Sequence, residues 1–285
     1  GKGTAVITAR AGEADAACIV DVTDEVAIGT MWGVDSPDGK VQMTLQIGEN
    51  SGLTYEAAKG GKAFIEKASV LGLKNNTIDT SKELTYVSTE KEVIDEIYKT
   101  YSGKFSEHQN RANQLKVTFK DSTGQYLYSV SARVYDDGVA FGYELAAADG
   151  NDAATVQISD EMSTVNVPDG ATTWSFEYGG AYEKNFEEKA MKDLSGAPAI
   201  PVLYQTDDTY VLFNEANLIP SGFCGARFKT STGSNTFDLD FAGEQRGAVT
   251  VDLPFTSPWR YAVVGDLKTI TENTMAENLS PNPDE

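Results

Sequence analysis

Histidine is nearly missing from this chain: His108 is the one imidazole among 285 residues. A Ser-His-Asp or Cys-His relay would have to be built on it, yet no Gly-x-Ser-x-Gly elbow accompanies it. Catalytic zinc sites also draw on histidine, and no His/Cys cluster is present. An epimerase of the mutarotase type, which needs a histidine pair with a glutamate, is excluded by the same count. His108 therefore reads as a polar residue packed at a loop. Cysteine is almost as scarce. Cys18 and Cys224 are too few for a disulfide framework, and they either pair or remain free thiols. Cations are in short supply as well, with 23 Lys and Arg against 43 Asp and Glu, a net charge of -20. Nucleic acid and anionic membrane surfaces need clustered cations, so neither is expected as a partner. No apolar run reaches transmembrane length and no charged-then-apolar leader is seen, so no membrane insertion is expected. The glycine-rich stretches lack a Gly-Lys-Ser/Thr signature, which leaves nucleotide binding without support.

What the chain does have is a hydrophobic content of 40% and 10% aromatics, ample for a core. The apolar residues come in short alternating runs. Gln42 to Ile47 alternates, Gly48-Glu49-Asn50-Ser51-Gly52 turns the chain into Leu53-Thr54-Tyr55-Glu56, and Gly60-Gly61 turns it again into Ala63-Phe64-Ile65. Leu115 to Phe119, Tyr126 to Tyr135, Val139 to Leu145 and Val202 to Phe213 repeat the pattern, with turn signals every 8 to 12 residues. Such spacing predicts an all-β domain of large antiparallel sheets. A parallel α/β fold lacks its crossover helices. Residues 80–98 and 182–193 are the stretches expected to be helical or loop-like. Residues 1–34 read as an extension carrying extra strands, among them Thr4–Ala9 and Ala17–Val22. Ser280 to Glu285, rich in proline and polar residues, reads as an interdomain linker.

Paired carboxylates remain as a source of chemistry, and glycoside hydrolysis uses them. Glu177, Glu183, Glu187 and Glu188 follow Trp174, and Glu215 lies in Asn214-Glu215-Ala216-Asn217. Most surface carboxylates are simply solvated. The setting of Glu183 is distinctive, because Trp174, Phe176, Tyr178, Tyr182 and Phe186 surround it in sequence, and aromatic faces are platforms for sugar rings. Bare aromatics on a sandwich can equally be core, and Trp259, entering a strand after a proline, reads as core or interface packing.

These motifs, in order, resemble the N-terminal domain of glycoside hydrolase family 97, the calcium-dependent α-glucosidases and α-galactosidases of Bacteroidetes. The landmarks are Ser36-Pro37-Asp38-Gly39-Lys40, Ser69-Val70-Leu71-Gly72-Leu73, His108-Gln109-Asn110, Arg133 to Glu144, Asn214-Glu215-Ala216 and Ser257-Pro258-Trp259-Arg260. The resemblance implies a β-supersandwich of galactose-mutarotase type over residues 35–279, with few short helices. It implies a following (β/α)8 catalytic barrel, reached through residues 280–285, that carries the catalytic carboxylates. No catalytic residue is then expected in this chain, which would support the active site without hydrolysing glycosides itself. By the same resemblance, Glu183 lends one ligand to a calcium ion completed by the barrel, with Glu215 in reserve. Trp174, Tyr178, Tyr182 and Glu215 would contact carbohydrate, and the protein would be periplasmic or attached to the cell surface. One departure stands out: Gly142 occupies the position of an arginine in the family's Phe-Arg-Tyr-Glu segment. A different class of reading is a stand-alone carbohydrate-binding module using Trp174, Tyr178, Tyr182 and Trp259.

Overall fold

The computed structural model describes residues 3–11, 14–22, 28–75, 77–100, 103–151, 154–218, 223–241 and 248–280, the first two stretches by their backbone alone. Residues 281–285, most of the expected linker, lie outside the described residues. Strands make up 58% of the structure and helices 6%, all pairings being antiparallel, so the domain is all-β.

One layer is a ten-stranded sheet. Its order runs Glu187–Ala190, Thr172–Ser175, Val202–Thr206, Thr209–Ala216, Trp259–Gly265, Gly138–Ala147, Tyr126–Tyr135, Glu107–Lys120 and Thr85–Lys99, with Phe255–Thr256 paired to the side of Gly138–Ala147. The facing layer contains a four-stranded meander, Met31–Asp35, Val41–Ile47, Leu53–Lys59 and Lys62–Leu71. A three-stranded sheet of Thr164–Asn166, Thr236–Phe241 and Ala226–Lys229 adjoins it. Among the hydrogen bonds that join these sheets are Val70 N to Thr164 Oγ1 at 2.8 Å, Asn166 N to Ser69 Oγ at 2.9 Å and the Tyr55 hydroxyl to Thr164 O at 2.9 Å.

Alternation in the sequence explains the layering. Along Val41–Ile47 every second residue, Val41, Met43, Leu45 and Ile47, is fully buried while Gln42 is exposed. The same one-sided burial continues through Leu115, Val117, Phe119, Tyr128, Val130 and Phe141 into one core between the layers. Each such side chain contributes about 1.5–3 kcal/mol on leaving water. The turn at Gly60-Gly61 joins Lys59 to Lys62 with both glycines at positive φ, the backbone of a type I′ hairpin.

Two expectations about local structure are corrected. Thr85–Lys99, within the stretch expected to be helical or loop-like, is a fifteen-residue strand paired along its length with Glu107–Lys120. Its Glu and Lys content mimics a helix, but the strand is a sheet edge, where charged side chains face water and discourage pairing with other chains. In 182–193, Glu187–Ala190 is the opposite edge strand, and only Met191–Asp193 forms a helical turn. Helices instead appear near the C-terminus, at Leu267–Glu272 and Met275–Asn278. Asp266 caps the first by accepting Thr269 N–H at 2.8 Å. Met275 and Leu279 pack with Ala112, Ala140, Tyr261 and Val263 on the outer face of the large sheet.

Gly3–Ala11 and Ala14–Val22 pair with each other and with no other described strand, and Met31–Asp35 is the edge of the meander. Among the described residues no helix is long and apolar enough to cross a membrane.

Candidate functional site

The strand Thr172–Ser175 delivers the chain to the aromatic segment. Thr173 and Ser175 point into the core, so Trp174 takes the other face. Its indole N–H donates to Glu188 across the pair at 3.2 Å, and the ring tilts against Tyr210, 6.1 Å away. Trp174 thus stands apart from the tyrosines that follow it in sequence.

Those tyrosines are gathered by Phe176, which is buried and anchors the loop. Tyr182 and Phe186 meet its ring edge-on at 5.5 and 4.9 Å, and Tyr178 meets Tyr182 at 5.6 Å. Tyr182 and Phe186 remain about half exposed. Two polar devices hold the loop. The Glu177 carboxylate accepts Ala197 N–H through both oxygens at 3.1 Å, and Gly196 at φ +101° lies so close that a Cβ there would sit 2.7 Å from that carboxylate. From the adjoining sheet, the Arg227 guanidinium lies over the Tyr178 ring at 5.3 Å while it pairs with Asp240 at 2.7 Å. The sequence reading missed Arg227 and Asp240, which sit some fifty residues beyond the loop. Alternation of charged and apolar residues in Ala226-Arg227-Phe228-Lys229 is the only local hint of them.

Glu183 is exposed on this loop, and its carboxylate makes no hydrogen bond to a described residue. It borders a cleft of about 380 Å³ together with Glu177, Glu187, Lys184 and Lys189. Among the described residues no three His, Cys, Asp or Glu side chains converge as a metal site. Calcium takes six to eight oxygen ligands. Glu183 offers a single carboxylate, so the described side chains around it do not make a calcium site by themselves.

Glu215 is held differently. It lies on Thr209–Ala216 opposite Arg260, accepts from the Arg260 guanidinium, and takes Ala226 N–H at 3.0 Å. Burial pushes its carboxyl above the ordinary range, against the pull of Arg260 and the Ala226 amide. Burial, with a lesser contribution from the neighbouring Tyr178 and Glu215, raises the Tyr182 phenol above its ordinary value. Arg260 itself is 1% exposed and also forks onto Glu161, Nη2 to Oε2 at 2.8 Å and Nε to Oε1 at 3.2 Å. Ser163 donates to Glu161 at 3.0 Å and meets the Tyr143 hydroxyl. An arginine inside an apolar strand, Trp259 to Val264, signals buried carboxylate partners, though not which ones.

His108 is buried on a strand and not at a loop, its ring stacked on Tyr98 at 5.1 Å with Nε2 near Thr100 Oγ1 and Phe105 O. Cys224 is a free, buried thiol. At Gly142, where the family resemblance expects arginine, the Trp259 indole lies so near that an added Cβ would be 3.4 Å from it. Arg133 supplies a guanidinium 4.7 Å from the same ring.

Two stacked antiparallel layers with an aromatic, carboxylate-flanked loop on one rim make up a β-supersandwich. The chain belongs to the family described as Glycosyl-hydrolase 97 N-terminal, which matches residues 34–281, and it is an N-terminal domain of family 97 enzymes. A "Probable retaining alpha-galactosidase" of Streptomyces bingchenggensis is 31% identical over 255 residues, covering 88% of this chain and 38% of that protein. A crystal structure of a β-arabinopyranosidase aligns with a TM-score of 0.76 at 28% identity, over 86% of this chain and 42% of the other. A family 97 enzyme from Pseudoalteromonas sp. strain K8, in complex with acarbose, aligns with a TM-score of 0.79 at 20% identity, over 88% of this chain and 38% of the other, and bears on the fold. The chain spans about two-fifths of the length of these relatives.

Proposed function

We propose that this chain is the non-catalytic β-domain of a calcium-dependent, family 97-like glycoside hydrolase. In this reading it walls the substrate pocket of a (β/α)8 catalytic domain with Tyr178 and Tyr182, and lends Glu183 to that domain's calcium ion. One observation carries the reading. A loop of exposed aromatics with an unengaged glutamate is held rigidly from behind by Phe176, Glu177 and Arg227, as a loop presented to a partner domain would be. Calcium, when bound, would supply electrostatic stabilisation at the sugar; the part of Glu183 is to present one carboxylate oxygen. Residence in the periplasm or at the cell surface belongs to the same reading and rests on the family resemblance.

The relatives at 31% and 28% identity are named for α-galactosidase and β-arabinopyranosidase activity. Those two sugars share their ring stereochemistry, which includes an axial 4-hydroxyl. We infer a substrate of that class for the whole enzyme.

The test uses the full-length protein. Glu183→Gln should weaken calcium binding measured by titration calorimetry at least tenfold and lower hydrolysis of a nitrophenyl α-galactoside at limiting calcium, with rescue by excess calcium. Calcium affinity equal to wild type would remove Glu183 from the site. Hydrolysis by residues 1–285 alone would end the non-catalytic reading.

A further inference from the structure

A second feature of the surface lies far from the aromatic loop. Tyr126 opens the strand Tyr126–Tyr135, and four strands of the large sheet separate that strand from Thr172–Ser175, which leads into the loop. Five inter-strand steps at about 4.8 Å place the two strands roughly 24 Å apart. Tyr126 is partly buried, packed against the core, and it lines two grooves at once, of about 350 and 540 Å³. These volumes fall within the range of small-ligand sites.

The chemistry of the first groove is unlike that of the rest of the surface. Its polar lining is Asn75, Thr77, Tyr126, Thr155, Gln157 and Ser159, completed by Val156 and Ala248, with no charged side chain among these residues. The cleft beside Glu183, by contrast, contains five charged residues. In a chain of net charge -20 with 23% charged residues, a neutral groove does not attract a cation and does not strongly attract an anion. Much of its hydrogen-bonding capacity is also unspent within the protein. No described residue bonds the Tyr126 hydroxyl, the Gln157 amide or the Thr155 hydroxyl, and the amide nitrogen of Asn75 is likewise unengaged while its Oδ1 closes a turn with Thr77 and Ile78. The second groove continues past Tyr126 over the small residues Ala147, Ala148 and Ala154, with Gln125 at its side and the opposite charges of Lys120 and Asp149 on its rim.

Neutral amides and hydroxyls match the vicinal hydroxyls of a sugar, which both donate and accept, and a tyrosine between two grooves gives a ring on which a pyranose can pack. We propose that the double groove centred on Tyr126 is a carbohydrate-binding site for a neutral oligosaccharide, with sugar units on either side of the Tyr126 ring. This site is separate from any substrate pocket formed at the aromatic loop. It would hold glycan on the β-domain while hydrolysis takes place elsewhere.

The test is titration of the 285-residue chain and of the full-length protein with raffinose, maltotriose and xylotriose, read by saturation-transfer NMR and calorimetry. At least one of the three should bind. Tyr126→Ala should weaken that binding about tenfold, Gln157→Leu several-fold, and Tyr182→Ala should leave it unchanged. Gln157 is exposed on a strand, so its variant keeps the question open to test should Tyr126→Ala misfold. Absence of binding to all three sugars overturns the proposal, as does binding that survives both groove variants. Binding lost with Tyr182→Ala but kept with Tyr126→Ala would also overturn it, and would place the sugar at the aromatic loop.

Discussion

Arg260 forks onto Glu161 in the core with a separation of 2.8 Å, and its remaining nitrogen reaches Glu215 on the neighbouring strand. One guanidinium therefore serves two carboxylates, and the trio is buried with an excess of negative charge. Removing the arginine leaves two carboxylates with no compensating charge. Arg260→Met should cost about 3–5 kcal/mol in urea unfolding. Replacing all three by apolar residues of similar size (Glu161→Leu, Glu215→Leu, Arg260→Met) should recover most of that loss. A triple variant as unstable as the single one would show that the charges are required for the packing itself.

The excess charge has a pH signature. Glu215 has its carboxyl raised above 4.5 by burial, more than Arg260 and the Ala226 amide lower it. A raised folded value means the folded state binds the proton more tightly than the unfolded chain does. This contribution to stability is complete below pH 4.5 and is lost as pH rises through the folded value. Glu215→Gln, which cannot ionise, should lack that loss. The difference in Tm between variant and wild type should therefore move in favour of the variant as pH is raised from 4 to 7. Parallel curves would mean that Glu215 titrates normally.

Gly52 is fixed by close approach. A Cβ at this position would lie 1.7 Å from the carbonyl oxygen of Ser81, a backbone atom that cannot swing away. Gly52→Ala should destabilise the domain by roughly 3 kcal/mol, at the upper end of overpacking costs, seen as a drop in Tm. Gly39, in the turn at the other end of Val41–Ile47, has open space around it but φ +72°, and should cost less as alanine.

Arg227 holds the aromatic loop from outside its own segment. Arg227→Ala removes the guanidinium from the Tyr178 ring and from Asp240, a loss of about 1 kcal/mol for the ring contact. Proteolysis within residues 179–186 should become faster while the core stays folded by circular dichroism. Unchanged cleavage would show that Phe176 and Glu177 hold the loop without Arg227.

Cys224 is buried, and burial raises its thiol to about 11. Mapped by mass spectrometry, its alkylation at pH 8 should be slow in the native protein and fast in urea. Rapid native labelling would contradict its burial.

Much of this domain was legible as pattern. Period-two alternation in Val41–Ile47 and Leu115–Phe119 specifies which face enters the core, and glycine pairs such as Gly60-Gly61 specify hairpins through their φ angles. Scattered landmarks from Ser36-Pro37 to Trp259-Arg260 also sufficed to place the chain in its family. Thr85–Lys99 escaped because an edge strand need bury neither face, so its charges carry no alternation to read. The aromatic cluster was visible as composition, but composition could not separate Trp174, which turns outward to Glu188 and Tyr210, from Tyr182, which closes on Phe176, and Tyr178, which meets Tyr182.

The sequence by itself determined the all-antiparallel class, the turns and the core-facing residues, because these depend on neighbours two to five positions apart. Only the tertiary structure decided which distant groups meet: Arg260 with Glu161 across 99 positions, Arg227 with Tyr178 from another sheet, and Tyr126 with Asn75 and Gln157 around one groove. Such meetings follow from sheet order and from the stacking of layers. Short-range propensity carries no information about either.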